Sequence, residues 1–191
     1  EKLDKAEQLV FEVGRKRTGT YFKHASTLAK NFFIDVDNLI ETGEPMVGLS
    51  SGFSDLDKMT TGFYPGNLVI VGARPSMGKT ALVLDFALAA AKSGKGSVAI
   101  FSLEMSGEQL IRRMVSMVSG VNSHVLKNPS LSMDTYKKLA DACDSIYTLP
   151  IYIDDASDLT PLDMRGKCRR LQAETGLSLV VIDYLQLMRG A

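Results

Sequence analysis

At 191 residues, 45% of them hydrophobic and 23% charged, the chain is long enough for one well-cored domain with an appendage, and its composition is that of an ordinary soluble globular protein. Lysine and arginine total 22 against 22 aspartate and glutamate, so no global positive field holds duplex DNA; any nucleic-acid contact has to be local, such as a small channel gripping a single strand. No apolar run approaches the roughly 20 residues a membrane helix needs, and the charged opening Glu1-Lys2-Leu3-Asp4-Lys5 is unlike a signal peptide, which predicts a cytoplasmic protein.

In chain order, residues 1–13 place Leu3, Ala6, Val10 and Val13 at helical spacing among Glu, Lys and Gln, the pattern of a short amphipathic helix. Gly14 and Gly19 bracket a basic linker, Arg15-Lys16-Arg17-Thr18. From Tyr21 to Glu41 a second helical pattern carries Leu28, Phe32, Val36, Leu39 and Ile40, and Thr42-Gly43-Glu44-Pro45 ends it. That apolar stripe either serves a neighbouring molecule or folds back on its own domain, and patterning favours neither. Leu49 to Gly66 is a compact, turn-rich segment around Phe53, Leu56 and Met59.

Leu68 to Val71 is then a continuous apolar run, predicted to be a strand buried on both faces. It stops at Ala73-Arg74-Pro75-Ser76-Met77-Gly78-Lys79-Thr80, and Ala81 to Leu88 follows as a buried helix. A loop between such a strand and helix presents the helix's first N–H groups outward, where they hold phosphate oxygens with help from the helix dipole. Lys79 is placed to reach the β- and γ-phosphates and Thr80 to ligate magnesium. The strict pattern wants glycine where this chain has Ala73, with Gly72 one place early, so the strand–loop–helix context carries the assignment.

Ser93-Gly94-Lys95-Gly96 stops that helix, and Val98 to Phe101 is a second buried strand ending in Ser102-Leu103-Glu104-Met105-Ser106. Helices are predicted over about 107–118 and 134–147, with a third strand at Ile151 to Asp154. Thr160-Pro161-Leu162-Asp163 opens a helix with a hydroxyl cap, proline in the first turn and an acid three residues after the cap; Gly176 closes it. Leu179 to Asp183 is the fourth strand. Cys143 and Cys168 lie in helical patterns without metal-ligand or redox spacing, and both are predicted to be buried small hydrophobes.

Strands alternating with helices predict an α/β fold with a mainly parallel sheet covered on both faces, and chemistry at the strands' C-terminal ends. The phosphate loop, Glu104 and Asp183 all fall at such ends. Asp183 has the form of a carboxylate that holds magnesium, directly or through water. Glu104 is placed to polarise a water for attack on a γ-phosphate, or else to favour the positive end of the helix that Ser106 caps. Arg74 and Arg113 touch either a nucleotide or a neighbouring subunit, or are surface residues. Arg165, Lys167, Arg169 and Arg170 read as a solvated helix face, and Gln186 as a γ-phosphate sensor or a packing residue.

Taken together, Ala73 to Thr80, Phe101-Ser102-Leu103-Glu104-Met105-Ser106, Lys167-Cys168-Arg169-Arg170-Leu171 and Val181-Ile182-Asp183-Tyr184-Leu185-Gln186-Leu187-Met188 resemble, in this order, the DnaB family of bacterial replicative DNA helicases, whose phosphate loop commonly begins Ala-Arg-Pro. The resemblance implies a RecA-like fold, with residues 1–20 as linker helix and linker and residues 21–191 as an ATPase domain that stops after the Asp183 strand. It implies a hexameric ring that encircles single-stranded DNA and moves 5′ to 3′ on ATP. By the same resemblance, Ala73, Arg74, Pro75, Ser76, Met77, Gly78, Lys79 and Thr80 bind nucleotide, Thr80 and Asp183 hold Mg2+, Lys79 and Glu104 are catalytic, and a helicase loader and primase are partners.

Family members carry a further N-terminal domain and continue past the Tyr-Leu-Gln-Leu stretch. The expectation is therefore a fragment without helicase activity by itself, whose sheet lacks the strand that a RecA-like order inserts between the Asp183 strand and the phosphate-loop strand. A RecA- or RadA-like recombinase shares the same loop and carboxylates, and a docking module for subunits or loader is the reading from a different class.

Overall fold

The computed structural model describes residues 24–42, 48–74, 76–123, 125 and 131–188. The amphipathic helix expected over residues 1–13 and its basic linker lie outside them. The chain divides into two compact units, residues 1–46 and 47–191. In the first, helix α1 spans Ala25–Thr42, within a residue or so of the C-terminal end the apolar stripe predicts. Leu28, Phe32 and Ile40 of that stripe are exposed.

The second unit is built in the order α2 (Ser54–Thr60), α3 (Lys79–Lys92), β1 (Ser97–Ser102), α4 (Gly107–Ser119), α5 (Met133–Tyr147), β2 (Ile151–Asp154), α6 (Pro161–Thr175) and β3 (Leu177–Asp183). The three strands form a parallel sheet in the order β2-β1-β3. β1 is central and every one of its residues is buried. Its period of two divides the core between two faces. Val98 and Ile100 join Leu84, Ala87 and Leu88 of α3, Leu110 and Met114 of α4, and Ala142 and Ile146 of α5. Ala99 and Phe101 face the other way, onto Leu159 and Met164 with Cys168 and Leu171 beside them. Helices thus cover both faces, the arrangement that parallel strands require.

The helix boundaries follow from local chemistry. Thr160 accepts from Asp163 N while the Asp163 carboxylate accepts from Thr160 N, with Pro161 in the first turn, as the sequence predicts. Ser106 and Gln109 form the same reciprocal box at the start of α4, and Gly120, at φ 67°, ends it. Ser132 caps α5 by accepting from Thr135 N.

Two expectations are overturned. Leu68 to Val71 is not a buried strand: it joins no ladder, and Leu68 is 82% and Ile70 74% exposed. An apolar run does not by itself supply a hydrogen-bonding neighbour, and among the described residues β3 pairs with β1 alone, without the further strand that a RecA-like order inserts between β3 and this run. Cys143 is exposed, because α5 buries Ala142 and Ile146 and turns the intervening position outward. Cys168 is half-buried, and burial pushes its thiol pKa up.

The segment before the phosphate loop is fastened to α3. Leu49 and Phe63 form an antiparallel bridge, with Leu49 N donating to Phe63 O at 2.7 Å and Phe63 N to Leu49 O at 2.8 Å. A side chain on Gly48 would meet Phe63 O at 2.5 Å, so only glycine permits this approach. Phe53 and Phe63 both pack edge-on against Phe86, at ring-centroid distances of 5.9 and 5.3 Å. Among the described residues, no helix is long and apolar enough to cross a membrane.

Candidate nucleotide site

The phosphate loop turns through two left-handed residues, Ser76 at φ 63° and Gly78 at φ 86°. Gly78 is the N-cap of α3; lacking a side chain, it gives the helix no side-chain cap, so the first-turn amides have no intramolecular side-chain acceptor there. Around the turn, Met77 N donates to Arg74 O at 3.3 Å and Leu82 N to Gly78 O at 3.0 Å. Ala73, Arg74, Ser76, Met77 and Gly78 are all exposed, as a surface that receives a ligand has to be. Pro75 lies outside the described residues.

Lys79 and Thr80 are the first two residues of α3, and both reach Asp183 at the C-terminal end of β3. Lys79 Nζ lies 2.8 Å from Asp183 Oδ1, and Thr80 Oγ1 donates to Asp183 Oδ2 at 2.7 Å. Lys79 Nζ also stands 4.4 Å from the centroid of the Tyr184 ring. Asp183 is 4% exposed, so its charge is tolerated only because both carboxylate oxygens are engaged, one by a cation. A threonine hydroxyl and a carboxylate brought together are two hard oxygen donors, a set that fits magnesium. The lysine and the uncapped helix start fit the phosphates that accompany it.

Glu104 sits in the turn between β1 and α4 and is exposed. The turn lies beside Asp183, because Ser102 is paired in register with Asp183 and Leu103 N donates to Asp183 O at 2.9 Å. Its far end is tied to the next strand tip, where Gly107 N donates to Asp155 Oδ2 at 2.8 Å. Glu104 and Asp183 are therefore carried by the ends of adjacent strands.

Other predicted residues stay at the surface. Arg74, Arg113 and Gln186 are exposed. On α6, Lys167 pairs with Asp154 at the tip of β2, while Arg165, Arg169 and Arg170 are exposed, in keeping with a solvated face. Three contributors carry no role that the sequence pattern assigns: Tyr184 under Lys79, Asp155 at the start of α4, and Ser102, whose hydroxyl bridges the Glu104 turn. For Ser102 the available signal is a hydroxyl residue three before the end of a turn; Tyr184 has none, since its contact with Lys79 is made only across the fold.

A family model described as DnaB-like helicase C terminal domain matches residues 48–191. The replicative DNA helicase DnaB of Geobacillus stearothermophilus is 39% identical over 189 residues, covering 99% of this chain and 42% of that protein. The replicative DNA helicase DnaB of Nostoc sp. is 43% identical over 190 residues, covering 98% of this chain and 22% of that protein. The chain thus spans less than half the length of these curated relatives.

Among solved structures, one described as an ATPase domain superimposes with a TM-score of 0.75 at 32% identity, covering 85% of this chain and 58% of that one. A DnaB-like replicative helicase, described with its interactions with primase, also gives a TM-score of 0.75, at 27% identity over 100% of this chain and 46% of that one. The fold is RecA-like α/β, and with the family model spanning the phosphate loop, the Glu104 turn and the Asp183 strand, the chain belongs to the family of DnaB-like helicase C-terminal domains.

Proposed function

We propose that this chain carries the ATP-hydrolysing site of a replicative DNA helicase. The convergence of Lys79 and Thr80 on Asp183 is the observation that supports the reading most directly. Backbone amides from Ala73 to Thr80, with the Lys79 ammonium, hold the phosphates of ATP. Thr80 and Asp183 hold Mg2+, which when bound neutralises phosphate charge. Nucleotide binding requires Lys79 to leave Asp183 Oδ1 for phosphate oxygen, exchanging one anionic partner for another. Glu104 accepts the proton of the attacking water.

The longer protein, in this reading, is a cytoplasmic homo-hexamer that moves 5′ to 3′ along single-stranded DNA and hydrolyses ATP at its subunit interfaces. Residues 1–20 act as linker helix and linker, and the ATPase domain lies within residues 21–191, of which the family model covers 48–191. A helicase loader and primase are its partners; one of the structurally similar helicases is described with its interactions with primase. Unwinding belongs to the longer protein, and the 191-residue chain by itself does not unwind forked DNA.

The test uses the full-length protein with Lys79→Ala and Glu104→Gln. The expected result is loss of DNA-stimulated ATP turnover by about 10²-fold or more in both, with Glu104→Gln still binding ATP. Turnover at the parent rate in Lys79→Ala contradicts an ATPase role and favours a docking module.

A further inference from the structure

The turn that carries Glu104 is closed by a side chain the catalytic reading does not use. Ser102 is the last residue of β1, 2% exposed, and its hydroxyl acts as both donor and acceptor. It donates to Met105 O at 2.6 Å and accepts from Met105 N at 3.3 Å. Both main-chain groups of Met105 are therefore held to one buried oxygen, and Glu104 lies between the two residues so joined. Ser102 is also the register partner of Asp183, and the next residue, Leu103, donates to Asp183 O at 2.9 Å. Beyond Met105, Ser106 N donates to Gln109 Oε1 at 3.1 Å and Gly107 N to Asp155 Oδ2 at 2.8 Å, so the turn is fixed where it leaves as well as where it begins.

We propose that Ser102 is a positioning residue for Glu104: its buried hydroxyl closes the Ser102–Met105 turn and so sets where Glu104 stands relative to Asp183. The proposal rests on Glu104 being the base that activates water. Local hydroxyl-to-backbone bonds of this kind fix a turn that the backbone alone leaves to alternative conformations. A base displaced by about 1 Å forfeits much of its advantage, up to 10²-fold in rate, while contributing little to ground-state binding. Lys79, Thr80 and Asp183 bind from other elements, so loss of the Ser102 hydroxyl acts on turnover rather than on affinity.

The experiment is a cycle in the full-length protein: Ser102→Ala, Ser102→Thr, Glu104→Gln and the double variant Ser102→Ala/Glu104→Gln. Single-turnover and steady-state ATP hydrolysis are measured together with affinity for a fluorescent ATP analogue. The expected result is a fall in kcat of about 10- to 100-fold in Ser102→Ala, with KM and analogue affinity within about twofold of the parent. Ser102→Thr, which restores the hydroxyl, recovers turnover, and Ser102→Ala costs nothing further once Glu104 is Gln.

With Glu104→Gln inactive, any of three results overturns the positioning role alone. These are parent turnover in Ser102→Ala, loss of nucleotide affinity in step with turnover, and a further loss on the Glu104→Gln background. Parent turnover in Glu104→Gln overturns the base assignment itself, and the role of Ser102 with it.

Discussion

Thr80 and Asp183 stand 103 residues apart in the chain, and the Thr80 hydroxyl donates to Asp183 Oδ2 at 2.7 Å while Lys79 Nζ holds Oδ1 at 2.8 Å. The start of α3 and the tip of β3 are thus locked together by the groups to which the proposed function gives the Mg-nucleotide. Lys79, Thr80 and Asp183 satisfy one another, because a carboxylate this buried is costly when unpaired.

Replacing Asp183 by alanine removes the partner of both Lys79 and Thr80. The expected thermodynamic coupling between Asp183→Ala and Lys79→Ala is about 1–3 kcal/mol, since Lys79 retains some solvent access. Denaturant titration of the parent, the two single variants and the double variant measures it. Additive losses contradict the paired geometry.

Magnesium dependence tests the metal-ligand role proposed for Asp183. The Asp183→Asn variant keeps the shape of the site but not its charge, and it is expected to lose the gain in ATP affinity that magnesium gives the parent. Binding titrations with excess magnesium and with EDTA read the difference; an undiminished magnesium effect contradicts Asp183 as a ligand.

Phe86 receives Phe53 and Phe63 edge-on and so ties the segment before the phosphate loop to α3. Phe86→Ala is expected to destabilise the protein by about 3–5 kcal/mol. A smaller loss, with the chemical shifts of residues 49–63 unchanged, contradicts Phe86 as the anchor of this segment.

Burial pushes the Asp85 carboxyl above its usual range, opposed by the charge of Lys92. A raised folded pKa means that the folded state holds the proton more tightly, so this group's contribution falls as pH rises from below the unfolded pKa through the folded one. Asp85→Asn is therefore expected to raise Tm at neutral pH, with the gain vanishing near pH 3, where the parent carboxyl is protonated. An equal shift at both pH values contradicts the burial cost.

Asp163 shows the opposite sign. Hydrogen bonds from the Thr160 hydroxyl and N–H hold its carboxyl below the usual range. Its contribution is present above the unfolded pKa and is lost as pH falls through the folded pKa. Thr160→Ala is expected to lower Tm at pH 7 and to flatten the decline of stability on acidification. Melting curves between neutral and acidic pH measure this, and parallel profiles for the two proteins contradict it.

Features that depend on neighbours in the chain were legible in the sequence. The Thr160-Pro161-Asp163 start and Gly176 stop of α6 were set by bonds closed within a few residues, and the apolar runs at 98–101 and 179–183 appear as β1 and β3. The glycine-bearing turn before α3 was legible too, since it is a local arrangement. Tertiary structure alone decided which strands pair, which is why the run at 68–71 remains outside the sheet and Val180, on the outer strand β3, is partly exposed. It also decided that Lys79 and Thr80 share one buried carboxylate, that Tyr184 lies under Lys79, and that Ser102 closes the Glu104 turn next to Asp183. Sequence periodicity specifies which face of an element is buried, whereas a contact across 103 residues exists only once packing has brought two strand tips and a helix start to the same place.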